Sequence, residues 1–120
     1  MTYALWAAQI LLAAGFLFAG ALKLFYDKYS DFVIKAGSTP VGGGLAAFIG
    51  IAEIAGAVGV VLPMALRVAP SLTPWAAVGL AAITLLAMGY HLRSHESATG
   101  PITLFLLAGF VAVGRFLNLT

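Results

Sequence analysis

The sequence predicts an all-α integral membrane protein, a four-helix bundle, and its composition gives the first reason. Of the 120 residues, 62% are apolar and only 8% are charged, whereas soluble domains have about 45–50% apolar and about 25% charged residues. A soluble domain of this size leaves roughly a third of its unfolded surface in water. The 6 Lys and Arg and 4 Asp and Glu residues are too few to cover that surface. A soluble monomer and a disordered chain are therefore excluded.

The second reason is the presence of four apolar segments, at residues 3–25, 41–63, 74–92 and 101–117. A helix needs about 20 mainly apolar residues to cross the hydrocarbon core. Each segment must be helical because lipid cannot satisfy an open backbone. Three residue pairs, Thr39-Pro40, Thr73-Pro74 and Gly100-Pro101, predict helix starts with proline at the first helical position. We expect residues 1–120 to form a single transmembrane domain.

The segment between the first two spans, residues 26–36, has a different pattern. Its apolar residues Tyr29, Phe32, Val33 and Ala36 recur at helical spacing among charged ones. This spacing predicts a short helix in the membrane interface. A solvated loop is the alternative, because the segment is short for a stable helix.

The basic residues give a prediction of orientation. The face with the first and third loops carries Lys23, Lys28, Lys35 and Arg93, against Arg67 and Arg115 on the other face. Positive charge is enriched in cytoplasmic loops. We therefore expect these two loops in the cytoplasm and both termini on the opposite side.

Composition also excludes several kinds of chemistry. With no cysteine in the chain, disulfides, thiolate metal sites and thiol catalysis are excluded. The net charge of +2 comes from scattered residues, so no nucleic-acid surface is expected. His91 and His95 have the spacing of a metal pair, with Glu96 beside them. Arg93 lies between the two histidines where the helix is expected to end, so we predict no metal site. No nucleophile–base pair is evident, and whether the protein is an enzyme stays open.

The central candidate residue is Glu53, which lies near the middle of the second span. An ionisable group at this depth is costly and marks a functional candidate. Gly50 and Gly56 at helical spacing let another helix approach closely. We therefore expect the carboxylate to point into the bundle.

The predicted partner of Glu53 is Arg115, which enters from the far face, with Gln9 completing the hydrogen bonds. Lys23 fits a direct pair less well, because the 1.5 Å rise per residue places it some 15 Å above Glu53. The alternative interpretation of Glu53 and Arg115 is an ion pair that only locks helix packing.

A second polar layer is expected near the first loop, where Lys23 and His91 reach similar depths and Thr84 shares a helix face with His91. The two layers predict a polar seam with the site residues Gln9, Lys23, Glu53, Thr84, His91 and Arg115. Its expected walls are Phe16, Phe48, Met88 and Phe110. Such a seam would suit a small, mostly apolar molecule with one or two oxygens. In the simpler interpretation Lys23 extends to the headgroups and His91 is an interfacial histidine.

Four sequence segments carry a family resemblance, namely QILLAAGFLFAGALKLF (9–25), FIGIAEIAG (48–56), AMGYH (87–91) and GRF (114–116). They place Lys23 late in the first span, Glu53 within the second, His91 at the end of the third and Arg115 at the end of the fourth. This ordered set resembles the DoxX-like family of small bacterial membrane proteins.

The resemblance implies a four-helix bundle in the bacterial inner membrane. It also implies a link to quinone or thiosulfate oxidation and to defence against oxidative stress. One relative is the membrane subunit of a thiosulfate:quinone oxidoreductase, and others assist larger assemblies. Because this chain lacks cysteine, a sulfur redox step would have to occur on a partner or a bound molecule.

Three functions follow as hypotheses. The first is an accessory protein that binds a quinone or another small lipophilic molecule, with no covalently bound cofactor, beside a membrane redox partner. The second is a membrane enzyme or proton-coupled carrier that uses Glu53 and His91. The third is a packing subunit of a larger membrane complex or a homo-oligomer, which would use its small-residue faces.

Overall fold

The computed structural model describes residues 2–37, 40–93 and 99–117. It contains six helices in this part of the chain, which are α1 (Thr2–Leu24), α2 (Tyr26–Lys35), α3 (Gly43–Gly59), α4 (Leu62–Leu66), α5 (Leu72–Arg93) and α6 (Thr99–Leu117). Four stretches are long and apolar enough to cross a membrane, namely Thr2–Leu24, Gly43–Leu66, Leu72–Arg93 and Gly100–Leu117. The predicted all-α membrane fold with four spans is confirmed.

The four spans form a ring in which each packs against two neighbours. α1 contacts α3 and α6, and α5 contacts the same two helices from the other side. Their facing residues make an apolar core that includes Leu12, Phe16, Ala57, Leu80 and Val111. This core holds the bundle together through close packing, because lipid leaves little hydrophobic driving force between spans.

The closest helix–helix contact joins α1 to α3. A Cβ atom at Gly20 would lie 2.6 Å from the carbonyl oxygen of Gly50, and a Cβ atom at Gly50 would lie 2.7 Å from that of Gly20. Any side chain at either position would therefore separate the two backbones. The contact fixes the register of these antiparallel helices, with residue 20 level with residue 50.

The segment between the first two spans is a helix, α2, so the loop alternative is wrong. The hydroxyl of Tyr26 donates to the carbonyl of Val41 at 2.8 Å, and the N–H of Val41 donates to the hydroxyl of Tyr29 at 3.1 Å. Phe32 contacts Phe18 of α1 edge-on, with ring centres 5.8 Å apart. These contacts stabilise a helix that is too short to be stable alone.

The helix starts differ from those predicted from proline. α3 begins at Gly43, and Pro40 lies outside it, while Thr39 lies outside the described residues. α5 and α6 begin two residues before Pro74 and Pro101. The backbone N–H groups of the whole first turn have no intrahelical acceptor. Proline, which has no N–H, is therefore accepted beyond the first position of the helix.

The second span is not one continuous helix. α3 ends at Gly59 and α4 begins at Leu62, with Pro63 in its first turn. The chain then turns through Arg67, whose φ of 56° is left-handed. A break at this depth requires partners for the exposed carbonyls inside the protein.

Candidate functional site

An ion pair between α1 and α3 is the centre of the candidate site. The Nζ atom of Lys23 lies 2.8 Å from Oε1 of Glu53, and the two side chains are 16% and 6% exposed. Glu53 lies in the middle of its span, as expected. Two opposite charges therefore meet inside the apolar bundle, where their attraction is weakly screened.

The predicted pair of Glu53 with Arg115 is wrong, and the helix register explains the error. Lys23 and Glu53 each lie three residues from the contact between Gly20 and Gly50, on opposite sides of it. At 1.5 Å per residue their backbones are only about 9 Å apart along the helix axes. The prediction placed the ends of both spans at one level, but α3 extends farther toward the first loop than α1 does.

Tyr29 of α2 completes this cluster. The Lys23 ammonium lies 5.6 Å from the centre of the Tyr29 ring, within the range of a cation–π contact. The tyrosine is buried, and burial raises the pKa of its hydroxyl, which therefore stays neutral. Sequence reasoning did not assign Tyr29 to the site, although its place on the apolar face of α2 was a usable signal.

A second polar cluster lies toward the other end of the bundle. Gln9 donates through Nε2 to the carbonyl of Val60 at 2.6 Å, and its Oε1 accepts a bond from Nε of Arg115 at 2.6 Å. Gln9 and Arg115 are fully buried. The guanidinium also lies 5.4 Å from the ring centre of Trp6. The predicted proximity of Gln9 and Arg115 is therefore observed, without Glu53.

This cluster satisfies the end of α3. Val60 accepts its bond from Gln9, and the carbonyl of Gly59 accepts a bond from Oγ1 of Thr73 on α5 at 3.1 Å. Both carbonyls lie at the end of a helix, where they have no helical partner. The Arg115 charge also faces the negative end of the helix dipole. The Gln9–Arg115 cluster thus acts as a structural cap, and Thr73 is a member that sequence reasoning missed.

Thr84 and His91 both make contacts within α5. The Thr84 hydroxyl donates to the carbonyl of Ala81 in its own helix at 2.8 Å. The ring centre of His91 lies 6.0 Å from that of Tyr90. α5, which carries both, lies across the ring from α1 and Lys23. His95 and Glu96 lie outside the described residues.

The predicted continuous seam is divided into two clusters. Glu53 and Val60 are about 10 Å apart along α3, and the buried Leu12 and Phe16 lie between Gln9 and Lys23 on α1. The predicted walls are partly wrong, because Phe16 is buried but Phe48 and Phe110 are exposed, at 72% and 39%. The buried face of α3 carries Ala46, Gly50, Glu53 and Ala57, and Phe48 lies on the opposite face.

One concavity lies on the outer face of α5. It has a volume of about 610 Å³ and is lined by Leu85, Leu86, Gly89, Tyr90 and Arg93. None of the six predicted site residues lines it. In the described part of the chain, no group of three or more His, Cys, Asp or Glu side chains could hold a metal ion.

Comparisons with known proteins place this architecture in a family. No curated protein and no solved structure matches the chain. The sequence profile of the DoxX-like family matches residues 7–113, a range that includes Lys23, Glu53 and Gln9 but ends before Arg115. This multi-pass membrane protein belongs to the DoxX-like family.

Proposed function

We propose that this protein is a redox-associated accessory protein of the bacterial inner membrane that binds a quinone or another small lipophilic molecule. The observation that supports this most directly is the Lys23–Glu53 pair inside the bundle. A charge pair at this depth is costly and is usually kept for function. Membership of the DoxX-like family is consistent with such a role.

The chemistry of Lys23 suits an oxygen-bearing apolar molecule. An ammonium has three N–H donors, and Glu53 is the one carboxylate paired with it among the described residues. The Lys23 side chain keeps 16% of its surface exposed, so a ligand atom can reach it. A quinone carbonyl is a neutral acceptor, and its binding leaves the ion pair neutral overall.

The role of Tyr29 in this proposal is to position the ammonium. Its ring lies against Lys23, and its hydroxyl is fixed by the N–H of Val41. α2 therefore covers the site from the first loop. A lipophilic ligand would approach the exposed part of Lys23 from the bilayer, the environment that four apolar spans imply.

The test is to purify the protein in mild detergent and identify bound small molecules by native mass spectrometry and solvent extraction. The variants are Lys23→Met and, as a matched control, Lys28→Met, which removes an exposed charge on α2. We expect a quinone with the wild type and the control, and its loss with Lys23→Met. Repeated wild-type preparations without a quinone-like molecule would remove this function.

A proton-coupled carrier or enzyme is the second candidate, because Glu53 is a buried carboxylate in the middle of a span. In this function Glu53 would titrate and His91 would relay protons. Glu53→Gln keeps the shape and deletes the charge. Loss of activity at normal membrane abundance would support the carrier, whereas a fall in abundance itself would indicate a structural role.

A further inference from the structure

A groove on the outside of α5 is lined by none of the six predicted site residues. It has a volume of about 610 Å³. Its apolar part is Leu85 and Leu86, which are 56% and 76% exposed, and Gly89 also lines it. A Cβ atom at Gly89 would meet nothing within 4 Å, so the space beside this glycine is open.

The two polar residues of the groove lie at one end of it. Tyr90 and Arg93 are in the last turn of α5, where the span reaches the membrane interface. Arg93 is exposed. It lies on the same membrane face as Lys28 and Lys35 of α2. The groove therefore combines an apolar floor in the membrane with a fixed positive charge at its surface.

The dimensions of the groove match one leaflet. From Arg93 to Leu85 the helix rises about 12 Å, close to the roughly 15 Å of hydrocarbon in half a bilayer. An acyl chain along Leu85, Leu86 and Gly89 would place its headgroup beside Tyr90 and Arg93.

We propose that this groove binds an anionic glycerophospholipid, with the acyl chain on Leu85, Leu86 and Gly89 and the phosphate at Arg93. Arginine pairs with phosphate through several N–H donors. A neutral quinone carries no anionic group that could pair with this charge. A second copy packed through the same face by a two-fold axis would bring two Arg93 side chains to the same depth, where like charges repel. The proposal rests on α5 alone and is independent of ligand binding at Lys23.

The experiment is native mass spectrometry of the delipidated protein titrated with phosphatidylglycerol or with phosphatidylcholine of the same acyl chains. Arg93→Gln removes the charge, and Gly89→Leu fills the groove. Gly79→Leu is the matched control, because Gly79 lies on the same helix and also has open space around it. Thermal unfolding of each variant in detergent checks that the bundle is intact.

We expect the wild type to bind phosphatidylglycerol more tightly than phosphatidylcholine. Arg93→Gln should reduce this preference about fivefold, the factor for one basic residue near an anionic surface. Gly89→Leu should weaken both lipids, and Gly79→Leu should change neither. Equal binding of the two lipids, or an unchanged preference in Arg93→Gln, would overturn the proposal. So would a dimer that forms without lipid and is lost in Gly89→Leu, because a second copy of the chain would then occupy the groove.

Discussion

The ion pair between Lys23 and Glu53 joins two helices at a depth where bulk water solvates neither charge well. Bringing both charges out of water is costly, and their 2.8 Å contact offsets that cost only while both partners are present. Removing one partner leaves the other charge buried and uncompensated. Removing one partner should therefore destabilise the protein more than replacing both residues with an apolar pair.

At the residue scale, Lys23→Met should lower the free energy of unfolding by about 3–5 kcal/mol, because it leaves the Glu53 carboxylate unpaired. Lys28→Met should change it little, since Lys28 is exposed. The measurement is unfolding in mixed micelles with an increasing fraction of SDS.

The double variant Lys23→Met with Glu53→Gln provides the control. It removes both charges, so it should recover part of the stability that Lys23→Met loses. A double variant as unstable as the sum of the two single variants would show that the residues do not interact.

The sequence predicted that Glu53 lies inside the bundle, but it did not predict its partner. The position of Glu53 depends only on local information, namely its depth in a span and the small residues Gly50 and Gly56 beside it. The partner depends on how far α1 and α3 are shifted along each other. That shift is set by the contact of Gly20 with Gly50, a tertiary feature that composition and spacing do not contain.

At the element scale, the end of α3 is completed by side chains from two other helices. Thr73→Val keeps the shape of the side chain but leaves the carbonyl of Gly59 without its donor. We expect a loss of about 1–3 kcal/mol in the free energy of unfolding. The same SDS titration measures it.

Thr84→Val is the matched control for this change. Thr84 is also buried, but its hydroxyl bonds to a carbonyl within α5 that keeps its backbone partner. We expect a much smaller effect. Equal losses in the two variants would mean that the carbonyl of Gly59 finds another donor and that Thr73 is not part of the cap.

The contact between α1 and α3 makes a separate prediction. Gly20→Ala should destabilise the protein by about 1–3 kcal/mol, because the new methyl group would lie against the backbone of Gly50. Gly79→Ala should cause no loss, since nothing lies within 4 Å of that position. Thermal unfolding in detergent compares the two, and a stable Gly20→Ala variant would contradict the close approach.

The presence of each helix was predictable from the sequence, whereas the residues at which the helices begin and end were less predictable. Apolar length alone identifies the four spans, and the spacing of Tyr29 and Phe32 identifies α2. Pro63 gives a local signal for the break between α3 and α4, since proline has no N–H to donate to the carbonyl of Gly59, but the break was not predicted. It depends on Gln9 and Thr73, which supply donors from distant parts of the chain.

At the scale of the whole molecule, apolar residues both fill the bundle and cover it. Leu12 and Leu80 are buried in the core, whereas Phe48 and Leu86 are mostly exposed on the outside. This distribution is what a bundle surrounded by lipid requires, and the apolar fraction of the sequence predicted it. Which membrane face each loop occupies stays a prediction from Lys and Arg alone.

That orientation can be measured directly, because the chain has no cysteine of its own. Asp31→Cys places a thiol on α2, and Ser71→Cys places one before α5; both positions are exposed. In intact cells a membrane-impermeant maleimide should label Ser71→Cys, and it should label Asp31→Cys only after permeabilisation. The reverse pattern would show that the first and third loops face outward.

The glycine contact between α1 and α3 also has a mechanical consequence. Lys23 lies on one side of the point where Gly20 meets Gly50, and Glu53 lies on the other. The ion pair therefore spans the crossing point of the two helices, and any change in their crossing angle alters the distance between the ammonium and the carboxylate. A molecule that draws the ammonium away from Glu53 would lengthen this contact. Binding of a molecule near the first loop would therefore be coupled to the tilt of α1 and α3.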